Sequence, residues 1–303
     1  MVNFKYCYLG LCLIFGIFGV VTSAESGSKR DKPTVAVANY PLKFFAERIT
    51  DEEIDVIFPI PPDIDPAFWK PNPVGVLSFQ AADLILLNGA HYSKWLDKVT
   101  LLRRKLVNTS QAFRDEFITI QEFTTHRHGP QGEHAHAGVA FTTWLDFQQA
   151  IQQAEAIRNA VTKLLPEQEK HFGTNFLALK TDLLNVDRRI EEIVNRRRAQ
   201  PLLASHPVYN YFARRYGLNI RSVLWEPEIV PNARQWVELE NIIKEYPAKW
   251  MIWEGNPHPD SIARLESLGI GSVVFDPAGN VLDNGDFLSV MHQNVQNLKS
   301  AYR

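Results

Sequence analysis

Short apolar runs alternate with amphipathic stretches along most of the chain, the pattern of strands and helices laid down in layers. Residues 35–38 (Val-Ala-Val-Ala), 54–60 and 84–87 (Leu-Ile-Leu-Leu, closed by the turn signal Asn88-Gly89) predict strands in the first half. Residues 202–204, 220–224, 250–253 and 272–275 predict strands in the second, with helices between them, for example over 207–216 and 259–268. The economical architecture is α/β with two lobes, 34–165 and 199–303. Between them, residues 166–198 predict one long linker helix. Phe172, Phe176, Leu179, Leu183, Val186, Ile190 and Ile193 recur at three- and four-residue spacing and give it one apolar face. Pro166 suits its first turn, Glu167 and Glu169 its positive end, and Arg196-Arg197-Arg198 its negative end. Such a rod, about 50 Å long at 1.5 Å per residue, would brace both lobes against large hinge motion.

The opening residues follow a different rule. Lys5 is the only charge before an apolar run over 7–21, and Thr22-Ser23-Ala24 supplies the small residues a signal peptidase reads. Residues 1–24 are therefore expected to be a signal peptide cleaved after Ala24, since about 15 apolar residues fall short of the ~20 a spanning helix needs. Residues 25–33 read as a polar leader. Both cysteines, Cys7 and Cys12, lie inside the expected signal peptide. The mature chain then has no cysteine-based zinc, redox or disulfide site. Charge changes the picture little: a formal net charge of -2 offers no electrostatic footprint for nucleic acid. With 45% hydrophobic and 11% aromatic residues, the chain has ample surface to bury in a folded core.

In open α/β sheets, ligands bind beyond the carboxyl ends of the strands. That rule selects Asn39-Tyr40, residues 63–69 and residues 88–91 in the first half, and His206, Glu254 and Asp276 in the second. One histidine with two carboxylates suits a borderline divalent metal such as zinc. Capping of helices or turns is the competing explanation for the two carboxylates. A second signal is local: His126, His128, His134 and His136 fall within a glycine-containing loop, 124–138, and histidine-rich tracts commonly bind metal. A solvated loop explains them equally well. The chain carries no Gly-x-Ser-x-Gly elbow, phosphate loop or His-Glu-x-x-His helix.

Several segments, taken together, resemble the ZnuA-like solute receptors of ABC transporters, the zinc and manganese uptake group. They are 37–42 (Val-Ala-Asn-Tyr-Pro-Leu), Asp65-Pro66, Ala82-Asp83-Leu84, Asn88-Gly89, Trp95-Leu96 and Trp144-Leu145-Asp146. Further on, 205–218 (Ser-His-Pro-Val-Tyr-Asn-Tyr-Phe-Ala-Arg-Arg-Tyr-Gly-Leu) and Phe275-Asp276-Pro277 also match. The resemblance implies two α/β lobes joined by a rigid helix, a metal site in the cleft, and a periplasmic, non-enzymatic monomer delivering its ion to a permease in the inner membrane. It implies zinc as the ion, with manganese second.

The resemblance also exposes a loss. It assigns metal ligands to the positions of Ala67, Thr142, His206 and Asp276, and two of those four side chains are poor or impossible donors. Histidine placed at 67 and 142 would restore the set. As the chain stands, three readings are open. His91, Glu254, His258 or a loop histidine replaces the lost ligands. Alternatively, water completes a weak site. In the third reading, the cleft has turned to a metal chelate or small organic ligand, lined by aromatics such as Trp69, Trp144 and Trp225. A metal-dependent hydrolase built on His206, Glu254 and Asp276 is a more distant alternative, since it would also need an open water position and a general base.

Overall fold

The apolar runs become two sheets with the same strand order. The computed structural model describes residues 1, 32–120, 125–127, 133–135 and 138–303. Residues 2–24 of the expected signal peptide, leader residues 25–31 and the loop histidines His128 and His136 lie outside them. In the first half β1 (Thr34–Val37), β2 (Asp55–Ile57), β3 (Leu84–Leu87) and β4 (Leu106–Asn108) form a parallel sheet in the order β2-β1-β3-β4. The sequence pattern does not reveal β4, a three-residue edge strand that is only partly buried. A small antiparallel pair, β5 (Thr119–Ile120) with β8 (Gly138–Val139), stands at the base of the histidine loop. Within that loop β6 (Thr125–Arg127) and β7 (Glu133–Ala135) pair so that His126 and His134 are register partners. In the second half β9 (Pro201–Ala204), β10 (Asn219–Ser222), β11 (Trp250–Trp253) and β12 (Gly271–Val274) form a parallel sheet in the order β10-β9-β11-β12.

Helices cover both faces of both sheets: α1 (Tyr40–Thr50), α2 (Pro73–Ala81), α3 (Phe147–Leu164), α4 (Glu169–Val194), α5 (Asn210–Tyr216), α6 (Ala233–Glu245), α7 (Pro259–Ser267) and α8 (Phe287–Ala301). Their starts follow local chemistry. Asn39, Asn72, Asp146, Asn232 and Asp286 each accept a backbone N–H of the first turn. Two-sided burial explains why the strands read as nearly continuous apolar runs. In β1, Val35 and Val37 enter one core, while Ala36 enters another on the opposite face. In β9, Leu202 and Ala204 face the first of these cores, while Leu203 faces a third.

The core that receives Val35, Val37, Leu202 and Ala204 is continuous between the sheets. It takes the buried faces of α1, α3, α4 and α8, from Phe45 and Ile157 to Leu183 and Leu298. The two lobes therefore belong to one compact unit, Lys32–Arg303. The expected linker helix over 166–198 is shorter than predicted. Leu165, held out of the helical region by the following Pro166, ends α3. A 3₁₀ turn over Pro166–Gln168 precedes α4, which runs 26 residues, about 39 Å. The arginines at 196–198 follow it in exposed turns. The predicted apolar stripe from Phe172 to Ile193 is buried throughout, against α1, α3 and α8.

Candidate metal centre

Both sheets share a topological switch point, between β1 and β3 in the first and between β9 and β11 in the second, and a ligand is expected where crossovers diverge. The two switch points differ in chemistry. In the first sheet Asn39 Nδ2 donates to Asn88 Oδ1 at 3.2 Å, and Asn88 is further held by Phe141 O and by Gln153 Nε2. That network is neutral, buried and occupied by its own members. In the second sheet every strand end delivers an ionisable group: His206 after β9, Glu226 after β10, Glu254 after β11 and Asp276 after β12.

His206 is 1% exposed. Its Nδ1 lies 2.8 Å from Glu254 Oε1 and its Nε2 3.6 Å from Glu226 Oε1. One donor atom from each of these three residues lies within 4.8 Å of the others, the spacing of groups that could hold a single ion. Burial pushes the imidazole pKa down, but Glu254 and Glu226 outweigh it and raise the value to about 10. Asp276 completes the polar floor. Its Oδ1 accepts Ala278 N–H at 2.7 Å and its backbone exchanges hydrogen bonds with Asn294. Burial, and then the charge of Glu254, raises the Asp276 carboxyl above its ordinary value.

Except for Glu226, these groups open onto a cavity of about 260 Å³ in the cleft. His206, Glu254 and Asp276 line one side, and Phe68, Tyr92, Phe141 and Trp144 line the other. Asp65 and Thr142 also reach it. Hydrogen bonds lace the lobes together around it. Trp144 Nε1 donates to Pro277 O at 2.8 Å, Asn280 Nδ2 donates to Ile64 O at 2.8 Å, and the Thr142 hydroxyl donates to Val208 O.

The structure separates the remaining candidates. Trp144 lines the cavity, whereas Trp69 and Trp225 do not. Trp69 is packed against Phe79 and Trp95 on the outer face of the first sheet, so closely that a Cβ on Gly75 would meet its ring at 2.5 Å. Trp225 is packed against Trp236 and Trp253 in the corresponding core of the second sheet. His91 sits exposed on a left-handed turn, residues 89–91, that follows β3 and carries it away from the cavity. His258 caps α7 instead, its ring Nδ1 accepting Asp260 N–H at 3.1 Å while its backbone N–H donates to Pro227 O at 2.7 Å. Ala67 is 1% exposed and belongs to the shared core, so its Cβ does not reach the cavity. Sequence reasoning missed Glu226. The strand-end rule held the signal, because Glu226 follows the predicted strand 220–224 at the same offset as His206 follows 202–204.

The family model described as "Zinc-uptake complex component A periplasmic" matches residues 35–301. The chain belongs to this family. Among curated members, the high-affinity zinc uptake system protein ZnuA of Bacillus subtilis (strain 168) is 24% identical, over 92% of this chain and 91% of its own length. The zinc-binding protein AdcA of Streptococcus pyogenes serotype M1 is 22% identical over 92% of this chain, which spans only 58% of AdcA. The manganese ABC transporter substrate-binding lipoprotein PsaA of Streptococcus pneumoniae is 24% identical, over 72% of this chain and 70% of its own. The fold matches that of the metal-dependent lipoprotein YcdH of Bacillus subtilis, with a TM-score of 0.75, 20% identity and coverage of 89% of this chain and 98% of the other. Against that family background, the position of Thr142 is spent on a hydrogen bond and that of Ala67 is turned into the core.

Proposed function

We propose that this chain is an extracytoplasmic receptor that captures a divalent metal ion, zinc, in its cleft and hands it to the permease of an ABC transporter. The convergence of His206, Glu226 and Glu254 at the carboxyl ends of adjacent strands carries the reading. Asp276 lines the same cavity and is the remaining carboxylate of this lobe that can turn to the ion, so the donors come from the second sheet, in place of the family positions at Ala67 and Thr142, and coordination from the first lobe stays open. The names of the zinc-uptake relatives support zinc as the ion. Manganese is the second reading, favoured by a donor set of one imidazole and three carboxylates and by the manganese relative. A resident hydrolytic metal is disfavoured by the family, and turnover assays with added zinc should show none.

Residues 1–24 act as the export signal in this reading, so that the mature protein begins near Glu25, is periplasmic and works as a monomer. Among the described residues no helix is long and apolar enough to cross a membrane. The loop histidines His126, His128, His134 and His136 add only weak sites, and deleting 126–136 should leave the tight site intact. The deciding experiment is metal content of the exported protein by mass spectrometry, followed by titration with zinc and with manganese. Tight binding of one ion, abolished in His206→Ala and weakened at least tenfold in Glu226→Gln, is the expected result. Binding that survives both substitutions would remove this cluster as the site.

A further inference from the structure

The donors and the space in this cleft do not match in size. The polar cluster gathers atoms within 4.8 Å of one another, whereas the cavity above it measures about 260 Å³. An engineered apolar cavity of about 150 Å³ is already large enough for benzene, and a water molecule takes about 30 Å³ of liquid. A bare ion held at metal–ligand distances of about 2 Å would leave most of the volume unused.

The unused part has a distinct chemistry. Phe68, Phe141, Tyr92 and Trp144 form a chain of edge-to-face contacts, with centroid separations of 6.3, 5.2 and 5.8 Å in that order. The indole N–H of Trp144 is already committed to Pro277 O. An ordered water needs two to four polar partners; Asp65 and Thr142 also reach the cavity, the latter with its hydroxyl already tied to Val208 O, but the four rings themselves provide none. The same wall is the complement of a flat ring, which stacks on or abuts aromatic faces and edges. Charge narrows the choice. Glu226, Glu254 and Asp276 already exceed the charge of a divalent ion, so an anionic group beside them would be repelled.

We propose that the cleft takes its divalent metal together with a small, flat, uncharged nitrogen-donor chelator. The metal is held from below by His206 and the carboxylates, and the chelator lies against the aromatic wall and supplies the coordination that the first lobe does not. The inference rests on the metal reading of the same cleft, and the test separates the two.

Bipyridine serves as the probe chelator, and zinc titrations of the full mature chain are read by calorimetry and by Trp fluorescence, with and without it. Free bipyridine competes for zinc, so competition alone lowers the apparent zinc affinity of the protein. A ternary complex raises it. The expected result is a rise of at least tenfold, with no binding of bipyridine in the absence of zinc. Phe141→Ala should lose that gain. Phe141→Leu, which retains the apolar volume needed for folding but has no ring, should lose most of it. Zinc binding that falls or stays unchanged on adding bipyridine overturns this inference and leaves the metal receptor standing. Failure of zinc to bind in either condition overturns both.

Discussion

Histidine introduced at position 67 would have to enter packed core, because Ala67 is buried among the residues shared by both lobes. Ala67→His is therefore expected to cost about 1–3 kcal/mol of stability through overpacking and to add little metal affinity, measured by chemical denaturation and zinc titration. Position 142 is different: its side chain reaches the cavity, and its hydroxyl is tied to Val208 O. Thr142→His gives up one neutral hydrogen bond, a cost of about 1 kcal/mol, and places an imidazole where the first lobe lacks a donor. It should strengthen zinc binding by itself, while the Ala67→His, Thr142→His double variant should do no better than Thr142→His alone. Family positions alone would have both restorations act together; the burial of Ala67 in the shared core is the reason to expect only the second to act.

The junction of α3, α4 and α5 is where helices from both halves meet through charge. Asp187 on α4 is 5% exposed and accepts hydrogen bonds from Arg215, Tyr216 and Gln148, at 2.6 to 3.0 Å. Burial alone would raise its pKa, but these donors, led by Arg215, hold it below the ordinary carboxylate value. A carboxyl depressed in the folded state contributes stability above its unfolded pKa of about 3.9 and loses it as pH falls through the folded value. Asp187→Asn leaves the half-buried Arg215 guanidinium without its anion and should cost about 1–3 kcal/mol near neutral pH. Denaturation curves of wild type and Asp187→Asn should converge as pH drops below about 4. A gap that persisted unchanged into acid would mean that the ion pair is not what stabilises this junction.

The continuous core between the sheets, with the hydrogen bonds Trp144–Pro277, Thr142–Val208 and Asn280–Ile64 around the cleft, argues against wide opening and closing. Hinge closure of the kind seen in two-lobed binding proteins needs few packed contacts across the hinge, and here four helices share one core. Solution scattering with and without zinc should differ in radius of gyration by less than about 1 Å. Compaction of several ångströms would contradict a shared core. The predicted rod contributes to this rigidity, but α4 does so by packing on α1, α3 and α8, not by spanning two otherwise separate bodies.

Periodicity and strand-end position are local properties, and they are legible in the sequence. The runs at 84–87 and 250–253 are the observed strands β3 and β11. The stripe from Phe172 to Ile193 is the buried face of α4. His206, Glu254 and Asp276 stand out because each follows an apolar run within two residues. What the sequence left open depends on which strands become neighbours and where side chains point. Strand order β10-β9-β11-β12 brings Glu226 beside His206 across the sheet, although 19 residues, with a helix and a strand among them, separate the two in the chain. A left-handed turn sends His91 into solvent, and Trp69 and Trp225, both on loops, pack into outer cores instead of the cleft. Hydrophobicity marks a tryptophan as buried, but only the packed sheets decide on which side.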